Sequence, residues 1–317
     1  MTAHIHQSEP SKTHILCVGA AVLDTIFKLE HIPSGQGKFL PSEMMQVAEG
    51  MAASAAYAVA QMGGRVTLWS AVGSDAAGNQ IRSDLSDAGI ETGSILTVQG
   101  ARSALSSILV DPQGERMIIP FYDAALHGDI SAFADEAMSQ FDAVLVDVRW
   151  PTLAFDALTR AKNSGIPAIL DGDVAPVETL LHLGSAATHI IFSEPAAKSL
   201  SGESEGTAML IALRKLFPST FLSVTFGDKG SYWLETDSDA VDYHTTLHVD
   251  AVDTLAAGDV FHGTFAQGLA EGLPTLNIIR LASAAAAIKC TKFGGRLGTP
   301  NREEVERAVA EWIGTSE

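Results

Sequence analysis

The stretch VDTLAAGDVFHGTFAQGLAEG (252–272) decides the reading of this chain. A strand-like VDAVDT (249–254) leads into Ala256, Ala257, Gly258 and Asp259, and a helix of small and apolar residues follows. The first four N–H groups of a helix have no internal partner, and the helix dipole adds partial positive charge there. Side chains of one carbon or none let an anion approach those amides closely. The segment therefore reads as an anion hole suited to a migrating phosphoryl group. Asp259 falls in the first turn beside that anion, where a carboxylate can accept the proton of an attacking hydroxyl. The alternative for the same residues is a small-residue helix start packed on a sheet, with Asp259 as a helix-start carboxylate.

Outward from this segment, short apolar runs alternate with helical patterns. HILCVGA (14–20), VTLWSAVG (66–73), AVLVDVRW (143–150), PAILDGD (167–173), HIIFSE (189–194) and FLSVTFG (221–227) read as strands. Residues 50–62 form an Ala-rich helix stopped by Gly63 and Gly64, and a second helix runs over 77–88 to Gly89. Another helix follows Trp150 to about Asn163, and helices dominate from about 257 onward. Strands spaced by helices imply a mostly parallel sheet whose ligands sit at the carboxyl ends of the strands. Residues 36–47 and 103–121 break the rhythm and read as antiparallel strands. The second is a hairpin around Asp111-Pro112-Gln113-Gly114. A small inserted sheet of this kind is expected to be a lid over the ligand, or else a plain extension of the sheet.

Of 317 residues, 46% are hydrophobic and 18% charged, which excludes a disordered chain. Acidic residues (38) outnumber Lys and Arg (20), so the surface repels nucleic acid and anionic lipid, and neither is an expected partner. An anionic ligand must then be held locally. Cys17 and Cys290, the only cysteines, point to a reducing, cytoplasmic compartment and no metal cage. No apolar run is long enough to span a membrane. Residues 1–13 lack the apolar core of a signal peptide and are expected to be a flexible tail.

DTLAAGD followed by a small-residue helix resembles the signature of the ribokinase, or PfkB, family of carbohydrate kinases. The resemblance extends from about residue 14 to 312, one kinase domain. VGAAVLD (18–24), AEGMAASAAYAVAQMGG (48–64), AVGSDAAGNQIRSDLSDAGI (71–90) and VTFGDKG (224–230) are similar to further family segments, in the family's order. The resemblance implies a ribokinase-like α/β fold, a Rossmann-type, mostly parallel sheet flanked by helices with a small β lid, and ATP-dependent phosphorylation of a sugar hydroxyl. It implies Asp259 as catalytic base, with Ala256, Ala257 and Gly258 as the anion hole. Asp24 would bind sugar hydroxyls, and Gly50 would belong to the hinge of the lid. Thr225, Gly227 and Gly230 would form the nucleotide turn. Asp253 and the carbonyl of Leu255 would be part of a monovalent-cation (K⁺) site continuing into CTKFGGRLGT (290–299), a loop that also nears adenine, with Gly295 in it. Mg²⁺ is implied as ATP's companion. A homodimer through the lid is the implied assembly, with Phe39, Met44 and Met45 as exposed apolar groups.

The chain departs from the family pattern at Met51 and Ser54, where Asn is usual, and at Ser193-Glu194-Pro195-Ala196, where an Asn-x-x-Glu motif usually sits. DVRW (147–150), LDGDVAP (170–176), FSEP (192–195), GDVFHG (258–263) and IKCTKFGGRLGTP (288–300) resemble the sulfofructose kinases of the same family. That implies 6-deoxy-6-sulfofructose as leading substrate, phosphorylated at O1, with Arg149 and Lys38 holding the sulfonate. Alternatively, Arg149 pairs with Asp147 or Asp173 and Lys38 is solvated. Pro120 and Phe121 offer no polar side chain where that subgroup presents one. Fructose, ribose, a nucleoside or fructoselysine then become the acceptors, and a non-catalytic sugar-binding protein is the reading from another class.

Overall fold

The computed structural model describes residues 12–314, so the expected tail falls outside the described residues except for Lys12 and Thr13. In chain order the elements are β1 (His14–Val18), β2 (Val22–Lys28), β3 (Glu43–Glu49), α1 (Met51–Gln61), β4 (Arg65–Gly73), α2 (Ala76–Asp87), β5 (Ile95–Val98), β6 (Leu105–Val110) and β7 (Arg116–Phe121). There follow β8 (Ala143–Val146), α3 (Pro151–Asn163), β9 (Ala168–Gly172), α4 (Val177–Ala186), β10 (His189–Ser193), α5 (Glu194–Ser201), α6 (Gly206–Leu216), β11 (Phe221–Thr225), β12 (Ser231–Leu234) and β13 (Val241–His244). The chain ends with α7 (Ala257–Ala270), α8 (Thr275–Cys290) and α9 (Arg302–Gly314).

A nine-stranded sheet has the order β13-β12-β11-β10-β9-β8-β1-β4-β5. It is parallel from β5 to β11 and antiparallel at β12 and β13. Its central strands are apolar on both faces because helices cover both: all of HILCV in β1 and AVLV in β8 is buried. Helix α7 packs against α1 and α8. Its small residues permit a close approach. A Cβ added to Gly263 would stand 2.2 Å from the Ala55 carbonyl oxygen and 2.8 Å from the Ala58 Cβ.

A second sheet of four strands has the order β3-β2-β6-β7, the chain entering it directly after β1 and again after β5. Here the sequence expectation needs correction. Besides the two expected segments this sheet contains β2, so Asp24 lies on one of its strands. Residues 36–42 are loop, and the strand there is Glu43–Glu49. Lys38 therefore sits in an exposed connection and not on a lid strand. The reason is composition: GQGKFLP places Gly and Pro in the first half of that segment, where neither supports a ladder. The hairpin at Asp111–Glu115 forms as expected. Asp111 Oδ1 accepts from the N–H of Gln113 and of Glu115, both at 3.0 Å. One lid face packs through Ile26, Val47, Ile108 and Val110 against Leu255. The edge strands leave Met44, Ile118 and Ile119 exposed.

Candidate active site

The phosphate side is built by the turn 253–258. It is not the strand expected from VDAVDT but an irregular segment tied down by Asp253. Asp253 Oδ1 accepts from the Leu255 N–H at 2.9 Å, and Oδ2 accepts from Gly294 N–H at 2.9 Å and Gly295 N–H at 3.0 Å. The turn ends on Ala256 at φ +62°, the one non-glycine left-handed residue among those described. That conformation starts α7 abruptly. The Ala257 N–H reaches the Thr254 carbonyl at 3.3 Å and Val260 bonds back to Ala256 at 2.9 Å. Between them, the N–H groups of Gly258 and Asp259 have no backbone partner, as the first turn of a helix requires. A Cβ added to Gly258 would meet nothing within 4 Å, so the space beside these amides is open.

This turn borders a cavity of about 450 Å³ whose other walls come from the strand ends and the lid. Asp171, Asp173, Ser193 and Thr225 reach it from β9, β10 and β11. Val22, Asp24, Ser106, Ile108, Arg116, Ile118, Pro120 and Tyr122 reach it from the lid. Asp259 lines the cavity. Burial and the neighbouring charges of Asp171, Glu49, Asp173 and Asp147 push its pKa well above the usual carboxylate range. Burial, with Asp173 and Asp147 close by, does the same to Asp171. His262 links the two elements. Its Nδ1 is 2.7 Å from the Gly258 carbonyl and 3.3 Å from Asp171 Oδ2, and its Nε2 is 3.2 Å from the Ile191 carbonyl. Burial lowers the His262 pKa, so the neutral ring is favoured.

On the lid side, Ser106 Oγ donates to Asp24 Oδ1 at 2.6 Å. Burial still raises the Asp24 pKa to about 6. Glu49 stands at the end of β3, 2% exposed, with its pKa raised to about 7 by burial and by Asp24. Ser54 Oγ donates to one Glu49 oxygen, and the Arg296 N–H donates to the other at 2.6 Å. The departure from Asn at position 54 thus positions a carboxylate. Gly50 follows at φ +106°, and a Cβ there would lie 2.5 Å from the Ala20 carbonyl, so only glycine fits this corner between lid and α1. Beneath it, the buried Asp147 accepts from Ala20 N–H (2.7 Å), Ala52 N–H (3.1 Å) and Arg149 N–H (2.8 Å), fastening the β1–β2 connection, the start of α1 and the segment after β8 together.

Beyond the Gly258 turn lies a smaller cavity of about 100 Å³, lined by Thr225, Gly227, Gly230, Ala257, Gly258 and Ser283 among others. Thr225 and Gly258 border both cavities. Gly230 is needed where it stands, since a Cβ would be 2.2 Å from the His244 carbonyl. The two spaces meet at the unpartnered amides, with Thr225, Ala257 and Gly258 lining both.

The structure brings together Asp24, Gly50, Arg149, Thr225, Gly227, Gly230, Ala256, Ala257, Gly258 and Asp259 around these spaces. Lys38 lines neither, and Gly295 is committed through its N–H to Asp253. Arg149 lines the larger cavity but is engaged. Its Nη2 lies 3.0 Å from Asp173 Oδ2 and its Nη1 donates to the Val174 carbonyl at 3.1 Å. Glu49, Ser106, Arg116, Asp171 and His262 also border the larger cavity, with no role expected for them from sequence, and Asp173, expected only as a partner of Arg149, borders it too. Only the position of Asp171 and Asp173 at a strand's carboxyl end was available as a signal. The expected K⁺ site does not fit the donors present. Besides three N–H groups, the Asp253 carboxylate faces the ammonium of Lys289 at 3.3 Å.

The model of the pfkB family carbohydrate kinases matches residues 12–302. The chain is 29% identical over 308 residues to a ribokinase from Bacillus subtilis, covering 94% of this chain and 99% of that one. It is 27% identical over 285 residues to an Arabidopsis thaliana protein described provisionally as fructokinase-4, covering 81% and 86%. A crystal structure from Agrobacterium tumefaciens, provisionally described as a ribokinase, superposes with a TM-score of 0.94 at 56% identity, covering 96% and 99%. An Arabidopsis thaliana ribokinase complexed with ribose and ATP shares the fold, with a TM-score of 0.81 at 21% identity, covering 95% and 99%.

Proposed function

Since this chain belongs to the pfkB family of carbohydrate kinases and is an ATP-dependent sugar kinase, we propose that its acceptor is a neutral pentose or ketohexose. The observation that carries this reading is the charge of the larger cavity. Asp24, Glu49, Asp171, Asp173 and Asp259 border it, against Arg116 and Arg149. Carboxylates accept hydrogen bonds from sugar hydroxyls, whereas an anionic substituent would meet repulsion. In the reaction, the acceptor oxygen attacks the γ-phosphorus and the bond from that phosphorus to the β-phosphate oxygen breaks. ADP departs, and the hydroxyl proton passes to Asp259. The N–H groups of Gly258 and Asp259 stabilise the charge on the migrating group. Gly50 and its neighbours let the lid close over the acceptor, and Thr225, Gly227 and Gly230 receive the nucleotide. Mg²⁺ brought with the nucleotide would supply neutralisation of its phosphate charge. Asp171, whose pKa is raised by burial with Asp173 and Asp147 close by, would be the ion's protein partner, with Asp173 beside it on Arg149.

One observation favours a second acceptor, 6-deoxy-6-sulfofructose: Arg149 stands in the cavity wall, with Arg116 opposite on the lid. ATP turnover with Mg²⁺ against ribose, fructose and sulfofructose separates the two. Arg149→Ala raising KM for sulfofructose alone supports the sulfonate. Turnover of neutral sugars with no response to sulfofructose retires it. Absence of transfer to any sugar would overturn the acceptor assignment altogether. The apolar groups on both lid edges, Met44 on β3 and Ile118 and Ile119 on β7, suit lid-to-lid pairing of two chains. A monomer mass in sedimentation would exclude it.

A further inference from the structure

Lys289 is 0% exposed, in the last turn of α8. An ammonium so placed is costly unless oxygens replace its water. Its Nζ donates to the Asp253 carbonyl at 2.7 Å and stands 3.3 Å from Asp253 Oδ2. It is therefore held by a backbone oxygen and a carboxylate oxygen of one residue. The N–H groups of Val252 and Asp253 both reach the Cys290 carbonyl, at 2.8 and 3.2 Å. These bonds lash the end of α8 to the turn that runs into Ala256 and the unpartnered amides. Burial lowers the Lys289 pKa, and Asp253 opposes that most strongly. The positive charge also lies at a helix carboxyl end, where cations are favoured.

A backbone carbonyl and a carboxylate around one dehydrated single charge form a setting that a free monovalent cation would also accept. We infer that Lys289 is a positioning residue that does the work of such a cation, its tethered ammonium holding the turn before the phosphate cradle so that nucleotide binding needs no K⁺. The inference rests on reading residues 256–259 as that cradle.

The test compares the full-length protein in KCl and in tetramethylammonium chloride at equal ionic strength, by Mg-ADP titration calorimetry and thermal unfolding. Wild type is expected to bind ADP with Kd values within about twofold in the two salts, and to keep its Tm. An affinity about tenfold or more tighter in K⁺ overturns the inference. Lys289→Ala removes the ammonium and leaves its space. Its Tm and ADP affinity are expected to fall in tetramethylammonium and to recover in K⁺ or NH₄⁺. A folded Lys289→Ala protein that neither cation restores shows that the side chain acts only as packing, and that also overturns the inference. If the variant does not fold, the wild-type comparison decides alone. Failure of wild type to bind ADP in any salt would sink the cradle reading instead, and the thermal arm with Lys289→Ala still decides the role of the ammonium.

Discussion

A single short turn separates Asp253 from Asp259, yet the two carboxylates live in opposite surroundings. Asp253 is surrounded by donors: three N–H groups and the Lys289 ammonium converge on it. Asp259 has no protein donor on its carboxylate among the described residues, and it faces Asp171, Glu49, Asp173 and Asp147. The first is a fastener, made in full by the fold. The second is an acid held among like charges, which on the proposed reading substrate hydroxyls and a cation-bearing nucleotide would relieve. Buried acids in one crevice can thus be sorted by counting what already satisfies them.

The sharpest way to break this contrast is to neutralise each acid without changing its size. Asp259→Asn is expected to lower kcat by about 10²–10⁴-fold, because the hydroxyl proton loses its acceptor. The same variant is expected to raise Tm, since a half-buried charge among like charges disappears. Asp253→Asn should do the reverse to stability. Removing one partner of a buried ion pair costs about 3–5 kcal/mol, read as a lowered midpoint in urea unfolding. If Asp259→Asn destabilised the protein as much as Asp253→Asn, the distinction between fastener and poised charge would fall.

A smaller effect follows from Glu49 and Asp24, whose pKa values are raised to about 7 and about 6. Each binds its proton more tightly folded than unfolded. Between the unfolded values of 4.5 and 3.8 and these raised values, the native state therefore holds more protons. Stability of the ligand-free protein should fall as pH rises through that window, by about 3 kcal/mol from Glu49 alone. Thermal unfolding from about pH 5 to pH 7.5 measures this, and Glu49→Gln should flatten the slope. A stability that climbs steadily over the same range would contradict the burial of both acids as described.

Much of this was readable from the chain. The largely apolar runs within 14–20, 143–150 and 189–194 gave a mostly parallel sheet, and the small residues around Gly258 gave the helix start with open amides. The hairpin at 111–115 was legible from Pro112 and Gly114. What escaped was whatever depends on three-dimensional meeting. Lys289 reads as an ordinary last-turn lysine, and only folding shows it dropped onto Asp253. Glu49 reads as a polar residue at a strand end, until Ser54 and the Arg296 N–H converge on it. Lys38 was misplaced because a charge in a Gly- and Pro-bearing segment carries no sign of how far the loop swings from the site. Arg149 showed both an anion-holding and a pairing role in sequence, and the structure gives it Asp173.

The mildest test concerns the lid. Ser106 Oγ donates to Asp24 Oδ1 at 2.6 Å, and this bond opposes the burial that raises the Asp24 pKa. Ser106→Ala removes the donor, so the Asp24 pKa should climb above about 6 and the carboxylate should be protonated more often near neutral pH. A protonated acid accepts sugar hydroxyls less well. The loss of one hydrogen bond to a charged group, about 1–2 kcal/mol, predicts a KM for the sugar raised severalfold with kcat nearly unchanged. Raising the pH should restore part of the affinity in this variant by ionising Asp24 again. That recovery tells the titration of Asp24 apart from a simple gap in the lid, which pH would not repair. Were kcat to drop while KM stayed constant, Asp24 would belong to the chemistry at phosphorus and not to the grip on the acceptor.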